Sequence, residues 1–107
     1  MWPFSRTRSL TAEEEQRVRR RCGLMLGTLR NCLRANEGKP GVCDNLENQV
    51  LYCYAEVLAP KQASAHRTCF TQAVDKGTWN LGSACRQEIA DMKQALQKVR
   101  AYPFKTA

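Results

Sequence analysis

The sequence predicts an all-α protein in which a disulfide-stapled antiparallel helical hairpin is followed by a second, degenerate hairpin. Three observations lead to this fold class. Apolar residues recur at alternating spacings of three and four, as on one face of a helix. No segment alternates apolar and polar residues as a half-buried strand does. Six cysteines in 107 residues indicate disulfides that compensate for a thin core, and therefore an oxidising compartment.

The first predicted helix follows an arm over residues 1–10 and runs from Thr11 to about Ala35. Thr11 and Glu14 have the spacing of a capping box, in which each side chain accepts a hydrogen bond from the other residue's backbone N–H. The apolar face of this helix is formed by Val18, Cys22, Met25, Leu29 and Cys32. The residues 36–41, Asn-Glu-Gly-Lys-Pro-Gly, have the composition of a turn.

Three further helices are predicted after this turn. The second runs over about 42–58, with Cys43, Leu46, Val50, Cys53 and Val57 on one face. The third begins at Pro60, which suits a first helical turn, ends at about Lys76, and directs Ala63, His66, Phe70 and Ala73 inward. The fourth is capped by Ser83 and carries Cys85, Ile89, Met92, Leu96 and Val99. The two hairpins therefore occupy residues 11–58 and 59–100, and a tail follows over 101–107.

The cysteine positions predict how the first two helices pair. Nine residues separate Cys22 from Cys32 and Cys43 from Cys53, so each pair lies on one broad helix face, about 15 Å apart. Residues that face each other in an antiparallel hairpin have residue numbers with a constant sum. The pairs Cys22–Cys53 and Cys32–Cys43 meet that condition, whereas six cysteines alone permit fifteen pairings. We expect one bridge at each end of the hairpin.

The second half of the chain repeats this arrangement with one bridge missing. Cys69 and Cys85 would form the inner bridge of a second hairpin. The outer pair would stand ten residues before Cys69 and ten residues after Cys85, and those positions are Ala59 and Ala95. We interpret residues 59–95 as a degenerate copy of the first hairpin that keeps one of its two bridges.

The two Cys-x9-Cys segments over residues 22–53 resemble those of the twin CX9C, or coiled-coil-helix-coiled-coil-helix, proteins of the mitochondrial intermembrane space. The doubled arrangement is similar to a double-hairpin accessory subunit of respiratory complex I, which shares the Cys-Arg-Gln at Cys85–Gln87. The resemblance implies import of the reduced chain, oxidation by the intermembrane-space disulfide relay, and residence peripheral to the inner membrane. It further implies a role as a structural subunit or an assembly factor of a respiratory complex.

Two groups of residues are candidates for partner binding. A net charge of +7 and a pI near 9.4 favour acidic partners. The sharpest basic run is Arg17, Arg19, Arg20 and Arg21, which either forms a solvated helix face or contacts acidic protein, anionic lipid headgroups or ribosomal RNA. The aromatic residues Trp2, Phe4, Tyr102 and Phe104 lie in the tails, where they either dock on a partner or fold back over the hairpins.

The sequence argues against catalysis and against a bound metal or cofactor. No cysteine pair is close enough for a zinc site or a redox-active dithiol, and all six cysteines have a geometric partner. His66, the single histidine, is expected to be a core residue rather than a base. Nothing resembles a base-reading module, and no stretch is apolar enough to span a bilayer. The expected function is a non-catalytic subunit of a respiratory complex; the alternatives are a soluble assembly factor and a mitochondrial ribosomal protein of the same fold.

Overall fold

The computed structural model describes residues 8–78 and 84–104, and within those ranges it contains four α-helices and no strand. The helices are α1 (Ala12–Ala35), α2 (Asp44–Leu58), α3 (Pro60–Asp75) and α4 (Arg86–Lys98). The predicted all-α fold class is therefore confirmed, and the first three helices begin and end within two residues of their predicted limits.

The start of α1 is fixed by the predicted capping box. The Thr11 hydroxyl accepts a hydrogen bond from the Glu14 N–H at 3.1 Å, and the Glu14 carboxylate accepts one from the Thr11 N–H at 2.9 Å. Arg8 adds a bidentate pair to the same carboxylate, at 2.8 and 2.9 Å. Two backbone N–H groups that would otherwise lack partners are thereby accounted for.

Helices α1 and α2 form an antiparallel hairpin with a small buried cluster beside each of its two bridges. The cluster at the open end contains Val18, Cys22, Cys53 and Val57. The cluster near the turn contains Leu29, Cys43 and Val50. The turn itself requires left-handed backbone, and Gly38 and Gly41 supply it at φ values of 77° and 89°.

Helix α2 has a second buried face, which the spacing of its apolar residues does not predict. Leu51 and Ala55 are fully buried in a cluster with residues that follow α2 in the chain: Ala59, Ala63, Met92 and Leu96. Helix α1 contacts only α2 among the four helices, whereas α2, α3 and α4 all contact one another. Helix α2 is therefore the central element, and it joins the two hairpins through one shared core.

Two residues predicted to face the core are exposed. Met25 is 41% exposed because α1 packs against a single helix, which covers only a narrow strip around Val18, Cys22 and Leu29. Phe70 is 44% exposed although it shares a helix face with the buried Ala63 and Ala73; the side chain is only partly covered, beside the His66 ring at 6.1 Å.

The two ends of α4 also differ from prediction. Cys85 precedes the helix in a left-handed conformation, with φ of 57°, instead of lying within it; the predicted cap Ser83 lies outside the described residues. At the other end Arg100 has φ of 60°, and the Ala101 N–H donates to the Leu96 carbonyl at 2.9 Å. This bond pattern is that of a Schellman motif, and it turns the chain back toward the helices.

Candidate functional site

Three disulfides link the helices at the pairs expected from the cysteine spacing. Cys22–Cys53 joins α1 to α2, and Cys32–Cys43 joins α1 to the residue before α2. Their Cα–Cα distances are 5.9 and 6.1 Å. Cys69–Cys85 ties α3 to the residue before α4, with a Cα–Cα distance of 5.9 Å. These separations are those that a disulfide normally spans, and no cysteine of the chain is free.

The three bridges differ in how deeply they are buried. Cys22 is completely buried and Cys53 is 6% exposed, and both contact apolar side chains. Each of the other two bridges has one buried and one half-buried cysteine. Cys32 also lies against Asn36, whose side-chain amide donates to the Cys32 carbonyl at 2.8 Å. Solvent therefore reaches the Cys32–Cys43 and Cys69–Cys85 bridges more readily than the Cys22–Cys53 bridge.

One group of potential metal ligands occurs in the described part of the chain. The sulfur atoms of Cys69 and Cys85 and a carboxylate oxygen of Glu88 lie within 4.8 Å of one another. Metal ions bind cysteine as the thiolate, and both of these sulfurs are joined in a disulfide. While the bridge is closed, the group offers a metal only the Glu88 carboxylate.

The four arginines of the predicted basic run lie on two different faces of α1. All four arginines are exposed. Arg17, Arg20 and Arg21 share the outward face of α1 with Leu24, which is 92% exposed. Arg19 lies on another face, where it lines a shallow groove with Leu10, Val18, Gly23, Leu26 and Tyr54.

A polar network crosses the surface of α2 and connects it with α1 and α3. Glu56 accepts from Arg21 of α1 at 3.3 Å and from Arg67 of α3 at 2.8 Å. Arg67 also donates to the Tyr52 hydroxyl at 2.8 Å. This network is not predictable from the sequence, because no local spacing relates residues of three different helices.

His66 lies in an aromatic row between α2 and α3. Its ring centroid is 5.6 Å from that of Tyr52 and 6.1 Å from that of Phe70. Burial lowers the pKa of His66 from 6.5, and the nearby Glu88 carboxylate opposes that shift. The histidine is half-buried and makes aromatic contacts, and its Nδ1 atom is buried without a hydrogen-bond partner among the described residues.

The C-terminal aromatic residues fold back over the helices. The Phe104 ring lies 4.8 Å from that of Tyr54 and 5.2 Å from that of Tyr102. The ammonium group of Lys93 lies 5.7 Å from the centre of the Tyr102 ring. Of the two alternatives for these residues, the structure shows the intramolecular one. Trp2 and Phe4, the other predicted aromatic contacts, lie outside the described residues.

No model of a known protein family, no curated protein and no solved structure matches this chain significantly. Within residues 8–78 and 84–104, none of the helices combines the length and apolarity needed to cross a bilayer. The chain is a disulfide-stapled helical protein. The arrangement of its cysteines and of its surface charges is the basis on which a function can be inferred.

Proposed function

We propose that this chain is a non-catalytic structural subunit of a mitochondrial respiratory-chain complex, located on the intermembrane-space side of the inner membrane. The observation that carries the proposal is the pair of Cys-x9-Cys segments, whose four cysteines form two bridges across one antiparallel hairpin. This combination of spacing and pairing is what a twin CX9C protein requires. The double-hairpin resemblance favours complex I as the host.

The covalent structure supports a role as a rigid scaffold. Three bridges hold four helices of 13 to 24 residues that share only a thin core. The largest fully buried side chains are few: Leu29, Leu51, Met92, Leu96, Val50 and Cys22. Domains with such small cores depend on disulfides for much of their stability. A structural subunit needs this persistence of shape, because its surfaces must remain in register with several neighbours.

The surface supports binding to other macromolecules rather than catalysis. Two open grooves lie among the described residues, and the arginines of α1 and an exposed leucine project outward from the hairpin. Oxidation of the chain by the intermembrane-space relay would accompany its import, since that relay forms the disulfides of the proteins it retains. The same bridges would then hold the folded chain in that compartment.

Blue-native electrophoresis of gently solubilised mitochondria tests the proposal. The chain, detected by antibody or by mass spectrometry, should comigrate with an assembled respiratory complex and should persist there after a salt wash. Rupture of the outer membrane should expose it to added protease while matrix markers stay protected. Confinement to small soluble species would contradict the proposal in favour of an assembly factor. Salt-sensitive cofractionation with ribosomal RNA would contradict it in favour of a ribosomal protein.

A matched pair of variants tests whether incorporation into the complex depends on the disulfides. Cys22→Ser with Cys53→Ser removes the deeply buried bridge and should abolish accumulation in the complex. The control is Ser64→Ala, which removes a hydroxyl at an exposed position of α3 and leaves every bridge intact. This control should accumulate normally. Equal incorporation of the two variants would show that the hairpin bridges are not needed for assembly.

A further inference from the structure

The outward face of α1 combines positive charge with an unusually exposed leucine. Successive helical residues are rotated by about 100°, so Arg17, Arg20, Arg21 and Leu24 fall within a sector of about 100°. We call these four residues the α1 outer face. Leu24 is 92% exposed, the highest value among the large apolar residues found exposed in the described part of the chain. Isolated exposed leucines are common, so the charge around this one is the more informative feature.

The arginines of the α1 outer face are largely available to an external anion. The ion pairs of the described residues include neither Arg17 nor Arg20, and Arg21 shares Glu56 with Arg67 through a 3.3 Å contact. The buried positions of α1 lie on the side turned away from this face, and among the four helices only α2 packs against them. The α1 outer face is therefore convex and exposed.

We propose that the α1 outer face binds an anionic membrane surface, with the three guanidinium groups on lipid phosphates and Leu24 inserted among the headgroups. The complementarity of charge identifies the partner, because guanidinium groups bind phosphate oxygens strongly. A row of arginines along a convex helix suits a fluid array of phosphates, which can rearrange around them. An acidic protein surface would instead require a fixed complementary shape.

The residues on this side of α1 determine both the depth of the membrane contact and its extent along the helix. Because the buried apolar residues of α1 are packed against α2, the contact is mainly electrostatic and lies at the level of the headgroups, with only the Leu24 side chain inserted more deeply. Thr28 lies on the same side one turn later, and its hydroxyl donates to the Leu24 carbonyl at 3.1 Å, which leaves that hydroxyl hydrogen satisfied within the helix. Glu13 lies on this side one turn before Arg17 and limits the basic stretch at its N-terminal end.

Sedimentation of the purified, fully oxidised chain with lipid vesicles tests the proposal and does not depend on the subunit role proposed above. Vesicles of phosphatidylcholine containing one quarter phosphatidylglycerol should bind the chain at about 0.15 M salt, and vesicles of phosphatidylcholine alone should not. Replacing Arg17 and Arg20 by glutamine should weaken binding about 25-fold, since each basic residue near an anionic surface contributes about fivefold.

A matched charge variant distinguishes binding by the α1 outer face from a general effect of the net charge of the protein. Lys61→Gln with Lys76→Gln removes two exposed positive charges from the two ends of α3, a helix that does not pack against α1. This variant should change binding less than about twofold, because charges beyond the Debye length contribute little. Equal losses in the two double variants would overturn the proposal, and so would an absence of binding to the anionic vesicles.

Leu24 supplies the test for insertion. Leu24→Ala should weaken vesicle binding by roughly five- to tenfold, in line with partial burial of the lost carbons, while its thermal unfolding stays unchanged. Val42→Ala, at a position 56% exposed in the turn, should leave binding unaltered. If the chain binds immobilised polyglutamate more tightly than the vesicles, and Leu24→Ala affects neither, the proposal is overturned and the α1 outer face serves an acidic protein instead.

Discussion

Glu14 makes several contacts at the start of α1, and together they change its ionisation. Its hydrogen bond with Arg8 contributes most, followed by that with the Thr11 backbone, and the pKa of Glu14 falls from 4.5 to about 2. A carboxyl group whose pKa is lower in the folded state stabilises the protein above its unfolded pKa, and that contribution is lost as the pH falls toward the folded pKa. Glu14 should therefore stabilise the folded protein at pH 7, and this contribution should be lost near pH 2.

We predict that Glu14→Gln lowers the melting temperature at pH 7 and that the difference from the parent protein shrinks between about pH 4.5 and pH 2. Thermal unfolding followed by circular dichroism at a series of pH values measures this. Added salt should weaken the effect, because the Arg8 side chain is 53% exposed. Glu13→Gln, in the same first turn, is the control. Identical pH profiles for the two variants would refute the role assigned to Glu14.

His66 gives a second prediction that concerns a single residue. Because burial lowers its pKa and Glu88 opposes the shift, the histidine resonance should titrate with a midpoint below 6.5, and Glu88→Gln should lower that midpoint further. Protonation then favours the unfolded state, so stability should decline as the pH falls below about 6.5. The chain has one histidine, so its NMR signal is unambiguous. A midpoint unaffected by Glu88→Gln, or lowered equally by the control Glu47→Gln, would contradict this account.

Among the helices, α2 shows what the sequence could and could not predict. Its face toward α1 was predictable, because Val50, Cys53 and Val57 continue the helical period that begins at Cys43, and both cysteines have partners in α1. Its second face was not, because Leu51 and one small alanine give a weak periodic signal. Their burial depends on where α3 and α4 pack, and that arrangement is set by contacts distant in sequence.

The second hairpin makes a prediction at the level of helix pairing. Ala59 is 7% exposed, Ala95 packs against the same buried cluster, and both line the groove between α3 and α4. These are the positions at which the first hairpin has its outer bridge. Replacing both alanines by cysteine should therefore create a fourth disulfide and stabilise the protein by about 2–4 kcal/mol. Peptide mapping by mass spectrometry and urea unfolding measure the two effects.

The control for that bridge moves one cysteine to the outside of α3. Ala65 is exposed, so the combination Ala65→Cys with Ala95→Cys should leave two free thiols and no gain in stability. Disulfide formation in both engineered cysteine pairs would indicate that α3 moves freely relative to α4. Closure of neither would show that residues 59–95 do not repeat the geometry of the first hairpin.

The architecture of the whole molecule follows from its cysteines more than from its core. Three disulfide pairs and the order of four helices could be predicted because a helix converts residue spacing into direction and distance. The return of the C-terminal tail could not, because it depends on Arg100 in a left-handed conformation that arginine rarely adopts. Phe104 then reaches Tyr54 and packs against Tyr102, and no local pattern relates these positions to α2.

Because the bridges carry much of the stability, their removal should have graded effects. They close loops with sequence separations of 31, 11 and 16 residues, for which chain entropy predicts contributions of roughly 3.7, 2.8 and 3.1 kcal/mol. Replacing Cys32 and Cys43 by alanine should therefore destabilise the protein less than replacing Cys22 and Cys53, whose loss also disturbs the buried cluster. Full reduction should lower the melting temperature more than either double variant, as differential scanning calorimetry with and without reductant would measure. Equal stability of the oxidised and reduced chains would mean that the helices pack adequately without their bridges.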